Sequence, residues 1–171
     1  YASRGEVSLR ITAKSETEKC NQELIEKTLA MVKERLKEYI YGYDRDNLET
    51  VIGKMLKTKG WQLALAESCT GGLIGHRITN VPGSSSYYQG GINSYSNQLK
   101  MNLLGVPEET LTKYGAVSRE TAQAMAEGVK KLANTDVGLA TTGIAGPDGG
   151  NDEKPVGLVY LAVALPDQTI V

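Results

Sequence analysis

A chain of 171 residues, 40% hydrophobic and 23% charged, can bury a core and fits one ordinary domain plus an appendage. Its formal net charge of -1 provides no global positive field for nucleic acid phosphates, and no apolar run approaches the roughly 20 residues needed to cross a bilayer. The two cysteines, Cys20 and Cys69, have no spacing that suggests a metal site or a disulfide framework, so a reducing cytoplasm is the expected compartment.

Charges interrupt residues 1–15, which therefore do not read as a signal peptide, and a start at Tyr1 without Met suggests a piece of a longer protein. The single histidine, His76, restricts the chemistry further. Ser-His-Asp catalysis and zinc hydrolysis both draw on histidine, and His76 falls on an expected helix, where a surface or packing role accounts for it.

Along the chain, residues 6–13 alternate apolar and polar as a half-buried strand does. Ser15-Glu-Thr-Glu18 then offers a capping box for a helix with Leu24, Ile25, Thr28, Leu29, Val32, Leu36 and Ile40 on one stripe. The polar segment 41–46 reads as a linker. A second helix starts near Asn47, with Leu48, Val51, Ile52, Met55 and Leu56 on its apolar face and Gly60 just past its end.

From there the pattern becomes strand and helix in alternation. Residues 62–67 predict a short strand, 71–80 a helix, 90–95 a strand, and 107–114 a short helix with Pro107 near its first turn. Ser118 is an N-cap for a helix with Ala122, Met125, Ala126, Val129 and Leu132 on its buried side, and 137–142 and 156–165 complete the strands. The expected architecture is α/β: a three-layer α/β/α domain with a mixed or mostly parallel sheet, preceded by a partial α+β segment. Ligands in such sheets bind where loops converge at the carboxyl ends of strands.

Three loops carry candidate chemistry. Glu67-Ser-Cys-Thr-Gly-Gly72 is a strand-to-helix turn whose helix start offers N–H groups to a phosphate or a developing oxyanion, though a turn that merely connects elements fits it equally. Thr141–Gly150 follows a strand and can wrap a ligand with backbone N–H groups and the Thr142 hydroxyl, or stand as a surface loop. Pro82–Ser86 can hold a phosphate or be a solvated serine turn. With histidine scarce, a lysine depressed by burial is the substitute base for a nucleophile, and Lys100, on a turn after a strand, is the candidate. Cys69 is the rival nucleophile, with a small buried hydrophobe as its plainer role.

Taken together, Leu65-Ala-Glu-Ser-Cys-Thr-Gly-Gly-Leu73, Pro82-Gly-Ser-Ser85, Gly91-Ile-Asn-Ser-Tyr-Ser-Asn-Gln-Leu-Lys100 and Thr142-Gly-Ile-Ala-Gly-Pro-Asp-Gly-Gly150 resemble the C-terminal domain of the CinA competence/damage-inducible family. Leu104-Gly-Val106, Gly115-Ala-Val-Ser118 and Lys154-Pro-Val-Gly157 fit the same family. The resemblance implies residues 44–171 as this domain and residues 1–43 as the strand and helix that end a KH-like linker domain. It further implies another helix beyond Val171.

What the resemblance implies for function is nicotinamide mononucleotide amidohydrolase activity within NAD salvage, without metal or cofactor. Carried over by motif, Ser68, Lys100 and Tyr95 would be the catalytic group, with Tyr95 lining the nicotinamide pocket. Thr70, Gly71, Gly83, Ser85, Asn97, Thr142 and Gly143 would hold the substrate. Backbone N–H groups near Cys69–Gly71 would bind the oxyanion. A homodimer is the implied assembly, with the apolar stripe on residues 24–40 available as an interface. No membrane partner is expected. A non-catalytic nucleotide-binding or assembly module is the alternative. The N-terminal segment contains no Gly-X-X-Gly clamp, and the balanced charge gives a nucleic acid partner little support.

Overall fold

In the computed structural model, which describes every residue except Arg4, the chain divides into two units, Tyr1–Asp46 and Asn47–Val171. In the first unit, β1 (Ala2–Ser3) pairs antiparallel with β2 (Glu6–Val7), and residues 8–17 run on without regular structure to α1 (Glu18–Leu36). The strand expected over 6–13 is thus reduced to two residues. Alternation gains stability only by burying one face, and Val7 and Leu9 are both exposed. The helix starts two residues later than the predicted capping box implies, because Thr17 is the N-cap and its hydroxyl accepts from the Cys20 N–H. No residue of α1 is buried.

The second unit opens with α2 (Leu48–Lys59). Asn47 and Thr50 form its capping box reciprocally, side chain to backbone, and Gly60 ends it in the left-handed conformation. Next come β3 (Leu63–Glu67), α3 (Leu73–Thr79), β4 (Tyr88–Asn93), α4 (Asn97–Leu104), α5 (Glu108–Tyr114), α6 (Arg119–Ala133), β5 (Val137–Gly143), β6 (Val159–Ala164) and β7 (Thr169–Ile170). Helix α3 begins two residues late because Gly71 (φ 60°) and Gly72 (φ 100°) sit in the left-handed region, which interrupts the helix there. Helix α4 replaces the turn expected around Lys100. Ser96 caps it, accepting from the Leu99 N–H, a start signal hidden among the polar residues after β4.

The sheet order is β4-β3-β5-β6-β7, parallel across β4, β3 and β5 and antiparallel from β5 outward. The sheet is therefore mixed, and helices cover both faces. All five residues of the central strand β3 are buried, and they alternate between two cores. Ala64 and Ala66 join Leu104, Val106, Leu111, Met125, Ala126 and Val129 on the side of α4, α5 and α6. Leu63 and Leu65 join Leu56, Ile78, Tyr87 and Val137 on the side of α2 and α3. Small alanines face α6 because that helix lies close: a Cβ on Gly138 of β5 would stand 2.1 Å from the Ala126 carbonyl oxygen. Helix α6 buries Thr121, Ala122, Met125, Ala126 and Val129 at helical spacing, while Leu132, expected on the same stripe, is 57% exposed in the last turn.

Among the described residues no helix is long and apolar enough to cross a membrane.

Candidate active site

Three consecutive strand ends converge at the carboxyl edge of the parallel part of the sheet: Ser68 follows β3, Ser94 and Tyr95 follow β4, and Thr142 and Gly143 end β5. The Ser68 N–H donates to the Thr141 carbonyl (3.0 Å) and the Ser94 N–H to the Glu67 carbonyl (2.8 Å), so the strand ladders extend into the loops and fix their starting points. Helix α4 then returns Lys100 toward the same edge.

Lys100 is only 1% exposed. Its Nζ donates to the carbonyls of Ser94 (2.7 Å) and Tyr95 (3.2 Å) and stands 3.1 Å from Ser68 Oγ. Burial holds its amine below the ordinary lysine value of 10.5, against an opposing pull from the neighbouring Cys69 thiol. A neutral amine has two N–H groups and one lone pair. With Nζ within reach of the two carbonyls and of Ser68 Oγ, the neutral form would place its N–H groups on the carbonyls and keep its lone pair for the serine hydroxyl. The nucleophile and base expected from the sequence are thus in contact.

Around the pair lies a recess of about 160 Å³ lined by Ser68, Cys69, Tyr95, Lys100, Ala116, Val117, Thr142, Gly143 and Ala145. Lys100 is the one formally charged side chain in that lining. Tyr95 is 77% exposed and stands at the mouth, and the Thr142 hydroxyl donates to the Ala116 carbonyl. A larger opening of about 410 Å³ within loop 147–156 holds no comparable nucleophile and base.

The other expected site residues fare differently. The Thr70 hydroxyl shares a hydrogen bond with that of Thr141 (2.8 Å), and Gly71 lies exposed beside the recess without lining it. Asn97 is the exposed first residue of α4 and lines nothing. Gly83 and Ser85 precede β4 and therefore sit at the amino end of the sheet, opposite Ser68, so this chain does not bring them to its own recess. The expected anion site at the start of α3 is also corrected. The buried Glu67 carboxylate already fills it, accepting from the N–H groups of Gly72 (3.0 Å), Ile74 (3.1 Å) and Gly75 (2.8 Å). Gly71 N–H is used too, donating to the Ser68 carbonyl, so only the N–H groups of Cys69 and Thr70 lack an acceptor among the described residues. His76 is exposed on α3.

Ala116, Val117 and Ala145 lie within segments that carry the family resemblance, but their side chains have no chemistry to mark them individually, and only folding brings them here. Ser94, whose carbonyl receives Lys100, acts through its backbone and is likewise unmarked as a site residue. Glu67 was detectable in principle, as a carboxylate just before a glycine-rich helix start. Among the described residues, no group of three His, Cys, Asp or Glu side chains is arranged to hold a metal ion.

Fold and site together define an α/β protein with a serine–lysine pair at the carboxyl edge of a mixed sheet. Residues 45–171 match the family model of the CinA C-terminal domain, and residues 1–42 that of the damage-inducible protein CinA KH domain. The chain belongs to the CinA family. It is 55% identical over 163 residues to a competence-damage inducible protein of Halothermothrix orenii, covering 95% of this chain and 40% of that one. With a CinA-like protein of Kosmotoga olearia it shares 48% identity over 171 residues, covering all of this chain and 42% of the relative. The chain thus spans about two fifths of the length of these relatives. Among solved structures, the competence/damage inducible protein CihA of Agrobacterium tumefaciens superposes with a TM-score of 0.71 at 42% identity, over 77% of this chain and 80% of that one. A CinA superfamily protein of Escherichia coli gives 0.70 at 31% identity, over 79% and 81%.

Proposed function

We propose that this chain hydrolyses a carboxamide by serine–lysine catalysis, with nicotinamide mononucleotide as the substrate that the family resemblance suggests. The observation that carries the reading is the buried Lys100 amine, held by two carbonyls and 3.1 Å from Ser68 Oγ. The lone pair takes the Ser68 proton as Oγ attacks the amide carbon. The oxyanion would be received by the N–H groups of Cys69 and Thr70, which have no acceptor among the described residues. The Lys100 ammonium then returns its proton to the leaving nitrogen, and ammonia departs. Water, deprotonated by Lys100, attacks the acyl ester, and as the bond to Ser68 Oγ breaks Lys100 returns that proton to the serine and the carboxylic acid is freed. Tyr95 offers a planar face at the mouth to a pyridine ring.

Ser68→Ala should lower ammonia release from nicotinamide mononucleotide at least about a thousandfold while the fold persists. Ammonia release at the unsubstituted rate would remove Ser68 from the mechanism. One observation favours the alternative of an assembly module without turnover: no cation besides Lys100 lines the recess to receive a phosphate. Calorimetry that detects no binding of the nucleotide, together with no ammonia signal, would select that reading, whereas binding without ammonia release would point to a non-catalytic nucleotide-binding module.

A further inference from the structure

We propose that Glu67 is a positioning residue for the Ser68 nucleophile and its oxyanion amides, an inference that rests on the serine–lysine reading above. Glu67 is the last residue of β3, immediately before Ser68, and it is 3% exposed. Its side chain reaches past the whole turn: Oε2 accepts from Gly72 and Ile74, and Oε1 from Gly75. Its main chain does the complementary task, since the Glu67 carbonyl accepts from the Ser94 N–H, and the Ser94 carbonyl receives Lys100 Nζ. One residue therefore fastens both ends of the segment 68–72 and links it to the anchor of the base. Between those fixed points lie Ser68 Oγ and the unpaired N–H groups of Cys69 and Thr70. The Gly71 N–H on the Ser68 carbonyl and the Thr70–Thr141 hydroxyl pair also brace the turn, but Gly71 and Gly72, both at positive φ, are its most permissive points, and it is there that the Glu67 carboxylate takes hold. The same contacts keep a substrate anion away from the start of α3, because a carboxylate is already seated there.

Glu67→Gln keeps the size but presents an N–H₂ group to at least one of the three backbone donors, so the turn must shift. The expected result, assayed well below the melting temperature, is a 10- to 100-fold fall in kcat with KM within about threefold. The acid limb of the pH profile should stay in place, because the carbonyl cradle of Lys100 is untouched. Glu67→Asp, which keeps the carboxylate but loses one methylene of reach, should fall between, and it decides the matter if the Gln variant does not fold. A second measurement is independent of the substrate: the rate at which a small sulfonyl fluoride labels Ser68 should drop by a similar factor in both variants. Variants that lose only thermal stability, with kcat and the labelling rate unchanged, would overturn the proposal. Labelling that follows the prediction while nicotinamide mononucleotide is never hydrolysed would uphold Glu67 and refute the substrate instead.

Discussion

At the scale of single residues, the proposed chemistry turns on one lysine. Lys100 lies in the wall of a small recess with its amine on two carbonyls, and burial pushes its pKa below the ordinary 10.5. The sign of the consequence is definite. In the proposed mechanism the base is the neutral amine, so kcat/KM should rise with pH through the lowered Lys100 pKa and then level off. A pH–rate profile whose acid limb lies at or above the value of a free lysine would contradict this. Lys100→Arg keeps the charge but supplies no accessible neutral form, and should abolish turnover at every pH tested. Ser68, Lys100 and Cys69 were all legible in the sequence as candidates, because their side chains carry the chemistry. Ser94 and Ala116 were not, because they contribute a carbonyl and a wall.

At the scale of elements, the position of Lys100 depends on how α4 lies against α6. Gly128 is the point of closest approach: a Cβ there would stand 1.9 Å from the Leu104 carbonyl oxygen at the end of α4. Gly→Ala inside a helix ordinarily stabilises by up to about 1 kcal/mol, but here it meets backbone that cannot yield without moving the helix. Gly128→Ala should therefore destabilise by about 1–3 kcal/mol in urea unfolding and lower kcat as well, since α4 carries Lys100, the proposed base. An unchanged midpoint would show that α4 yields freely. Periodicity located α2, α5, α6, β3 and β5 to within a few residues. It missed α4, because the Ser96 cap lies among the polar residues after β4 and nothing like the Pro107 that marks the equally short α5 announces its start.

At the scale of the whole molecule, both hydrophobic cores and every residue lining the recess belong to the unit Asn47–Val171. Prepared alone, residues 47–171 should unfold cooperatively and retain sulfonyl-fluoride labelling of Ser68 at the rate of the longer chain. A labelling rate that collapses on removal of 1–46 would show that the first unit supports the site. The first unit contributes no fully buried residue from α1: on the stripe expected there, Leu24 is exposed while Ile25, Leu29, Val32 and Leu36 are half-buried.

By itself the sequence determined what local physics decides. Hydrophobic periods gave most elements, Ser118 and Asn47 gave helix starts, and the segments around Ser68, Lys100 and Thr142 gave the candidate chemistry and the family resemblance. Only the tertiary structure decided which candidates meet. It put Ser68, Tyr95, Lys100, Thr142 and Gly143 around one recess because parallel strands end at a common edge. For the same reason it left Gly83 and Ser85 at the far end of the sheet. It also gave the α3 amides to Glu67, since the buried carboxylate at the end of β3 takes the nearest unpaired N–H groups, those of the helix start.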